Sequence, residues 1–268
     1  MGLLDGKKGL VVGVANERSY AWYIAKALTD AGAECAYTHL PGEKNERRTK
    51  RAIASIVGKG NEDNAWLRPL DASSDAELDG VFADYEKSFD RMDFLVHSIA
   101  FADREWLAAG KFTETPRDAY LGAVDISAYT LAAMAHRARP IMAKTSGESG
   151  GSILCMSYYG GDKVVPGYNV MGVAKAALEC TARYLASELG EQNIRVNAIS
   201  GGYLRTLASS AVGGTDTMGE VAAQKAPLRR ATEGEDVGGT AVYLVSDLSR
   251  GVTGETIFVD CGINILGA

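Results

Sequence analysis

Gly9-Leu10-Val11-Val12-Gly13-Val14-Ala15-Asn16-Glu17-Arg18-Ser19-Tyr20-Ala21 is the stretch on which the reading of this chain turns. Gly9 to Val12 is a short apolar run of the kind that forms a strand buried on both faces. Gly13 closes the run, small and polar residues follow, and from Ser19 to Ala31 the side chains of Ile24, Leu28 and neighbouring alanines recur at helical spacing. Gly32 supplies the helix stop. A strand, a turn without bulky side chains and a helix, in that order, let backbone N–H groups approach an anion at the helix N-terminus. The spacing is not Gly-x-Gly-x-x-Gly: one glycine is present, and Ser19 and Ala21 stand where others would be. On this stretch alone a plain strand–turn–helix connection explains the pattern as often as a cofactor site does.

The same alternation runs through the rest of the chain. Strands are expected at Glu34–Thr38, Ala65–Leu70, Met92–Val96, Ser152–Ser157, Arg195–Ile199 and Thr256–Val259. Between them lie a charged amphipathic helix over 43–58, a helix over Asp75–Phe89, a long one from Arg117 to Ala143, and others over Tyr168–Leu189 and Gly234–Ser246. Strand runs that are apolar throughout suit a parallel sheet covered on both sides, and repeated β–α units predict right-handed crossovers. The fold class expected is α/β: a single doubly wound Rossmann domain spanning residues 1–268, its parallel sheet flanked by helices on both faces. Residues 201–230 are poor in such signals and read as a loop with short helices.

Composition narrows the function classes. Of 268 residues, 46% are hydrophobic and 23% charged, enough for a full core, and the net charge of −6 argues against a general nucleic-acid or anionic-membrane surface. No stretch reaches the ~18 apolar residues of a membrane span, and the N-terminus has neither a signal-peptide pattern nor a myristoylation pattern. Cys35, Cys155, Cys180 and Cys261 are scattered, with no Cys-x-x-Cys pair and three histidines in all, so no metal site is expected. Reduced thiols, and with them a cytoplasmic protein, are the better reading.

Candidate binding residues lie at strand ends. Asp71 follows the third strand, where a carboxylate suits the adenine amino group or, at even odds, caps the next helix. His97-Ser98-Ile99-Ala100 ends the fourth strand with small residues near the sheet's switch point; His97 itself reads as structural. The second strand ends in Tyr37-Thr38-His39-Leu40-Pro41, without the acid that commonly holds a ribose 2′-hydroxyl. Lys44, Arg47 and Arg48 follow, suited to a 2′-phosphate or simply to a solvated helix face. Residue chemistry alone leaves NADH against NADPH open.

The sharpest feature is Ser157-Tyr158-Tyr159-Gly160 followed by Tyr168-Asn169-Val170-Met171-Gly172-Val173-Ala174-Lys175. Tyr168 and Lys175 are seven residues apart, two helical turns, and share one face. An ammonium near a phenol is expected to lower the phenol's pKa and can also hold a ribose hydroxyl, while the tyrosine donates to a developing oxyanion. Taken by itself, such a pair is more often a helix start and a solvated lysine.

The motifs taken together resemble the short-chain dehydrogenase/reductase superfamily, and within it the bacterial-type enoyl-[acyl-carrier-protein] reductases. Ordinary superfamily members carry Tyr-x3-Lys, whereas Met171 stands four before Lys175 here, and the Tyr168-x6-Lys175 spacing is that of the enoyl reductase branch. The Gly13, Ser19, Ala21 turn is similar to that branch as well. So are His97-Ser98-Ile99, Asp125-Ile126-Ser127-Ala128-Tyr129, Arg195-Val196-Asn197-Ala198-Ile199-Ser200, Arg205-Thr206-Leu207-Ala208 and the close from Thr253-Gly254-Glu255 to Val259-Asp260. The resemblance covers about residues 5–265.

It implies hydride transfer from NADH, with NADPH open, to the β-carbon of a trans-2-enoyl thioester on acyl carrier protein, in fatty acid biosynthesis. Tyr168, Lys175 and Tyr158 are the implied catalytic group. Gly13, Ser19, Tyr20, Leu40, Asp71, Ala72, Ser98, Ile99, Ala100, Lys175, Leu204 and Thr206 are the implied cofactor contacts. Ala102, Tyr158, Met171 and Leu207 are the implied substrate contacts, with a mobile substrate-binding loop near 203–220 and a homotetrameric assembly. Three departures stand out. Tyr23 and Ala100 replace usual glycines, and Gly201-Gly202-Tyr203-Leu204 replaces Ala-Gly-Pro-Ile. They leave open the acyl preference. They also leave open a reductase of the same fold acting on a carbonyl or another activated alkene, and a nucleotide-binding relative without catalysis.

Overall fold

Residues 2–145, 150–204 and 223–267 are described by a computed structural model of the chain. Seven strands, β1 (Lys8–Val12), β2 (Glu34–His39), β3 (Leu67–Pro69), β4 (Phe94–His97), β5 (Gly151–Ser157), β6 (Ile194–Gly201) and β7 (Thr256–Val259), form one sheet in the order β3-β2-β1-β4-β5-β6-β7. Every pairing is parallel. β5 and β6 are buried at every position, as strands covered on both faces must be. The expected strands are all present, displaced by a residue or two at their ends. β3 is the shortest, at the sheet edge, where Pro69 withholds no N–H that an inner neighbour needs.

Alternation along the strands sorts the helices into two layers. Leu10, Val12, Leu95, Ile153 and Cys155 face one core, built with Leu78, Phe82 and Tyr85 of α3 (Asp75–Ser88), Leu131 and Met134 of α5 (Thr130–Thr145), and Leu178 of α6 (Asn169–Leu189). Val11, Phe94, Val96, Leu154 and Met156 face the other, built with Ile24 and Leu28 of α1 (Tyr20–Asp30), Ile53 of α2 (Glu43–Val57), and Val237 and Leu244 of α7 (Gly234–Val245). The doubly wound domain with helices on both faces is therefore present. The chain runs outward from β1 to β3 and then crosses to β4 on β1's other side, which opens a crevice at the carboxyl ends of β1 and β4.

The long helix expected over Arg117–Ala143 is corrected. It is α4 (Arg117–Val124), a π-helical turn over Asp125–Tyr129, and then α5. Hydrogen bonds made by this turn's side chains give the physical reason. The Ser127 hydroxyl accepts the Phe101 N–H at 3.0 Å, and Thr130 donates its hydroxyl to the Ile126 carbonyl at 2.7 Å. The wide turn keeps Ser127 and Ala128 buried while α5 continues with its own apolar face on the sheet.

Tyr23, the bulky residue in α1, does not push the helix off the sheet. It stands edge-on to Trp22, ring centroids 4.9 Å apart, and occupies space left by Gly234: a Cβ there would lie 2.1 Å from Tyr23 Cδ2. A Cβ on Gly238, one turn later in α7, would lie 2.9 Å from both the Tyr23 carbonyl oxygen and Ala27 Cβ. The substitution on one helix is thus matched by missing side chains on its neighbour.

Candidate active site

The residues singled out in sequence gather at the carboxyl edge of the sheet. Gly13 follows β1 with φ 110°, a conformation L side chains rarely adopt, and a Cβ on it would lie 2.1 Å from the Ser98 carbonyl oxygen. The turns after β1 and β4 therefore touch backbone to backbone, and the Ser98 N–H donates to the Val12 carbonyl at 3.0 Å. Ser19 caps α1, accepting the Trp22 N–H and donating to the Asn16 carbonyl at 2.8 Å. Tyr20 reaches across to β6 and donates its hydroxyl to the Gly202 carbonyl at 2.7 Å. Gly13, Ser98 and Ile99 thus meet after β1 and β4, Ser19 and Tyr20 open the helix between them and the end of β6, and Ala100 is exposed.

Leu40 follows β2, and Asp71 lies just past β3, the strand paired with β2 at the sheet's edge. The cap of α3 is Ser74, not Asp71; Asp71 Oδ1 instead accepts the Ser73 N–H at 3.0 Å and the Ser73 hydroxyl at 2.7 Å, and Ala72 beside it is half-buried. Leu40 is 62% exposed at the tip of β2, an uncovered apolar surface beside a polar turn. Lys44 and Arg47 stand exposed on the first turns of α2, and Arg48 is half-buried. Thr206 and Leu207, with most of the 203–220 loop, lie outside the described residues.

Tyr158 follows β5 directly, and Tyr168 is the N-cap residue of α6. Their rings meet edge to face with centroids 4.9 Å apart, and Tyr159 packs on Tyr158 at 4.7 Å. The intervening turn must be bare, since a Cβ on Gly160 would lie 2.6 Å from Tyr168 Cδ1. Lys175, two turns into α6, is 5% exposed and donates to the Met156 carbonyl at 2.7 Å. Burial lowers its pKa to about 8, with Cys155 and Glu179 drawing it back up.

One electrostatic expectation is corrected. Lys175 does not depress the Tyr168 phenol. Burial, followed by the charge of Glu179, raises it above the ordinary tyrosine range. Sharing a helix face two turns apart does not bring the ammonium to the hydroxyl when the lysine is drawn to a carbonyl of β5. Burial raises the Tyr158 phenol too, with Tyr159 and Tyr168 adding to it. Both phenols are therefore proton-bearing at neutral pH, suited to donate rather than to accept.

His97 is structural, as its sequence context suggested. It is fully buried, with Nε2 2.8 Å from the Thr130 hydroxyl oxygen. Thr130 already donates to Ile126, so the network assigns the proton to Nε2, and Nδ1 has no partner among the described residues. Burial, then the charge of Lys175, pushes its pKa down to about 3.

On the side of the tyrosines away from the sheet, Leu107, Ala123, Val170 and Met171 form a small apolar cluster, with Ala102 and Tyr168 at its margin. Ser127 of the π-turn lies 3.9 Å from Met171 Sδ. Ala102, Tyr158, Tyr168 and Met171 thus share one apolar corner beside a phenol pair. Sequence reasoning quoted Gly160 and Ser127 within motifs but gave them no role of their own, and it missed Glu179. Glu179 had a usable signal, an acid one turn beyond Lys175 on a helix face otherwise apolar.

The carboxyl edge of the sheet thus carries a bare turn, a capped helix N-terminus, a pair of neutral phenols and a buried ammonium. Such groups suit a long ligand carrying phosphates and sugar hydroxyls. Among the described residues no helix is long and apolar enough to cross a membrane.

Comparison with known proteins finds relatives along the whole chain. A family profile described as Enoyl-(Acyl carrier protein) reductase matches residues 13–264. The enoyl-[acyl-carrier-protein] reductase [NADH] FabI of Synechocystis sp. is 46% identical over 264 residues, 98% of each chain. The Bacillus cereus protein of the same name is 45% identical over 267 residues, 100% of each. Among solved structures, the Bacillus cereus enoyl-acyl carrier protein reductase with NADP+ and indole naphthyridinone aligns with a TM-score of 0.93 at 45% identity, covering 100% of both chains. The Anaplasma phagocytophilum reductase in complex with NAD aligns with a TM-score of 0.90 at 44% identity, over 100% of this chain and 97% of that one.

Proposed function

This chain belongs to the enoyl-(acyl carrier protein) reductase family, and from that membership we propose how its own residues reduce the 2,3 double bond of a trans-2-enoyl thioester on acyl carrier protein. The reaction serves fatty acid biosynthesis, and the family's NADH-named relatives make NADH the cofactor, with NADPH as a second candidate. When bound, the cofactor would supply the hydride for the β-carbon of the substrate, and a proton, ultimately from solvent, adds to the α-carbon to complete the saturated thioester.

The observation that carries the site assignment is the Tyr158–Tyr168 ring pair, 4.9 Å apart, beside the buried Lys175 at the sheet's carboxyl edge. Tyr168 keeps its proton at neutral pH and donates a hydrogen bond to the thioester oxygen, where charge builds as the β-carbon is reduced. Lys175, which donates to the Met156 carbonyl, would hold the nicotinamide ribose hydroxyls when the cofactor is bound. Tyr158, Met171 and Ala102 bound the acyl chain and exclude water, and Leu207 is assigned to the same pocket.

Gly13, Ser19, Tyr20, Ser98, Ile99, Ala100, Leu204 and Thr206 hold the pyrophosphate and nicotinamide half, and Leu40, Asp71 and Ala72 hold the adenine. The chain is a cytoplasmic homotetramer in this reading. Four free thiols support the compartment, and the exposed Tyr184, Leu248 and Ile265 supply apolar surface for assembly.

The test follows nicotinamide absorbance with crotonyl thioester against a panel of ketones. Oxidation of NADH by the enoyl thioester alone is expected; turnover of ketones alone would reject the reading. Light scattering of the purified protein is expected to give four times the chain mass.

A further inference from the structure

The hydrogen bond from the Ser157 hydroxyl to Glu179 is a buried polar contact at the site that the chemistry above leaves unused. Glu179 lies one helical turn beyond Lys175 on α6 and is 9% exposed. A carboxylate in such a place is costly unless it is partnered. Its partner is the last residue of β5, the immediate neighbour of Tyr158. The bond therefore joins the strand end that carries one tyrosine to the helix that carries the other and the lysine.

The electrostatics of the spot are one-sided. Around Lys175 stand the Met156 carbonyl and the Cys155 thiol from β5, His97 from β4, and Glu179 from its own helix. The His97 ring is neutral, and burial holds the Cys155 thiol protonated, its pKa pushed up to about 12. That leaves Glu179 as the counter-charge within this group. Glu179 in turn is pushed up by burial and by Asp162, and held down by Ser157, by Arg183 and by Lys175.

We propose that Glu179 is a positioning residue of the reductase site. By accepting the Ser157 hydroxyl it fixes the turn that carries Tyr158 against the helix that carries Tyr168 and Lys175. As the buried counter-charge one turn along that helix, it keeps Lys175 in the ammonium form that binds the nicotinamide ribose. The inference rests on the reading of Lys175 as a ribose ligand and Tyr158 as a wall of the acyl pocket.

Two substitutions separate the two tasks. Glu179→Gln keeps an oxygen for Ser157 and removes the charge; Ser157→Ala keeps the carboxylate and removes the anchor. NADH binding, followed by the fluorescence of the bound reduced cofactor without any substrate, is expected to weaken in the unsubstituted protein as pH rises through about 8, where Lys175 loses its proton. A nearby carboxylate favours the ammonium, so Glu179→Gln is expected to move that alkaline limb toward lower pH by roughly half a unit or more, leaving affinity below the limb within about twofold. Glu179→Asp is expected to bring the limb back.

Ser157→Ala, assayed below the limb, is expected to raise the KM for the enoyl thioester or lower kcat by about tenfold while NADH affinity holds, because the acyl-pocket tyrosine is misplaced. A limb in Glu179→Gln that coincides with that of the unsubstituted protein overturns the proposal. So does a Ser157→Ala enzyme with unchanged kcat and KM. Failure of the unsubstituted protein to bind NADH would instead count against the reductase reading itself.

Discussion

At the scale of the residue, the site works through what burial does to three ordinary groups. Tyr168 and Tyr158 hold their protons because a phenolate in an apolar pocket is poorly solvated, and Lys175 is made easier to deprotonate for the same reason. Tyr168→Phe is expected to lower kcat by about 100-fold or more while leaving the melting temperature near its original value, as removing a positioned proton donor should. Lys175→Ala is expected to weaken NADH about tenfold, the worth of a charge-assisted hydrogen bond, read by fluorescence titration. Gly13→Ala forces a Cβ into the Ser98 carbonyl at a positive φ. A loss of about 2 kcal/mol or more is expected in urea unfolding.

Part of this was legible beforehand: helix spacing put Tyr168 and Lys175 on one face, and the resemblance to the enoyl reductase branch, not the spacing, implied that they act together. The state of the phenol was not. Which way a lysine side chain turns depends on a carbonyl of β5, and no local pattern records that. Glu179 and the role of Gly160 escaped for a similar reason: each matters only through a segment brought against it by the fold.

At the scale of the element, strand and helix existence followed from periodicity, and the ends moved by a residue or two. The break in the 117–143 helix was invisible, since a π-turn keeps helical composition and only shifts phase around Ser127 and Thr130. Tyr23 was legible as a departure, but its remedy was not, because Gly234 lies on another helix. That pairing can be measured. Gly234→Ala is expected to cost about 1–3 kcal/mol by overpacking against Tyr23. In the background of Tyr23→Gly most of that cost should vanish, giving a coupling of about 1 kcal/mol or more in a double-mutant cycle of urea melts. Additive costs would show that the two helices repack independently.

At the scale of the whole molecule, His97 ties stability to pH. Its folded-state pKa of about 3 lies below the ordinary 6.5, so between these values the unfolded chain binds a proton that the folded chain refuses. Stability from this group is complete above about pH 6.5 and is lost as pH falls, on the order of 2 kcal/mol by about pH 5. His97→Asn is expected to be less stable at neutral pH but to show a shallower decline between about pH 7 and pH 5 in chemical denaturation. An equally steep decline would assign the acid sensitivity to other groups.

The close fit of α1 against α7 bears on how the chain is made. α1 leaves the ribosome long before α7, yet Ile24 and Leu28 share a core with Val237 and Leu244. Until α7 emerges the nascent chain therefore carries an apolar helical flank that its partner helix does not yet cover, and β7 has still to complete the sheet. Stalled chains ending before Gly234 are expected to be captured by chaperones and cut readily by protease, and protection should arrive abruptly once the last helix and strand emerge.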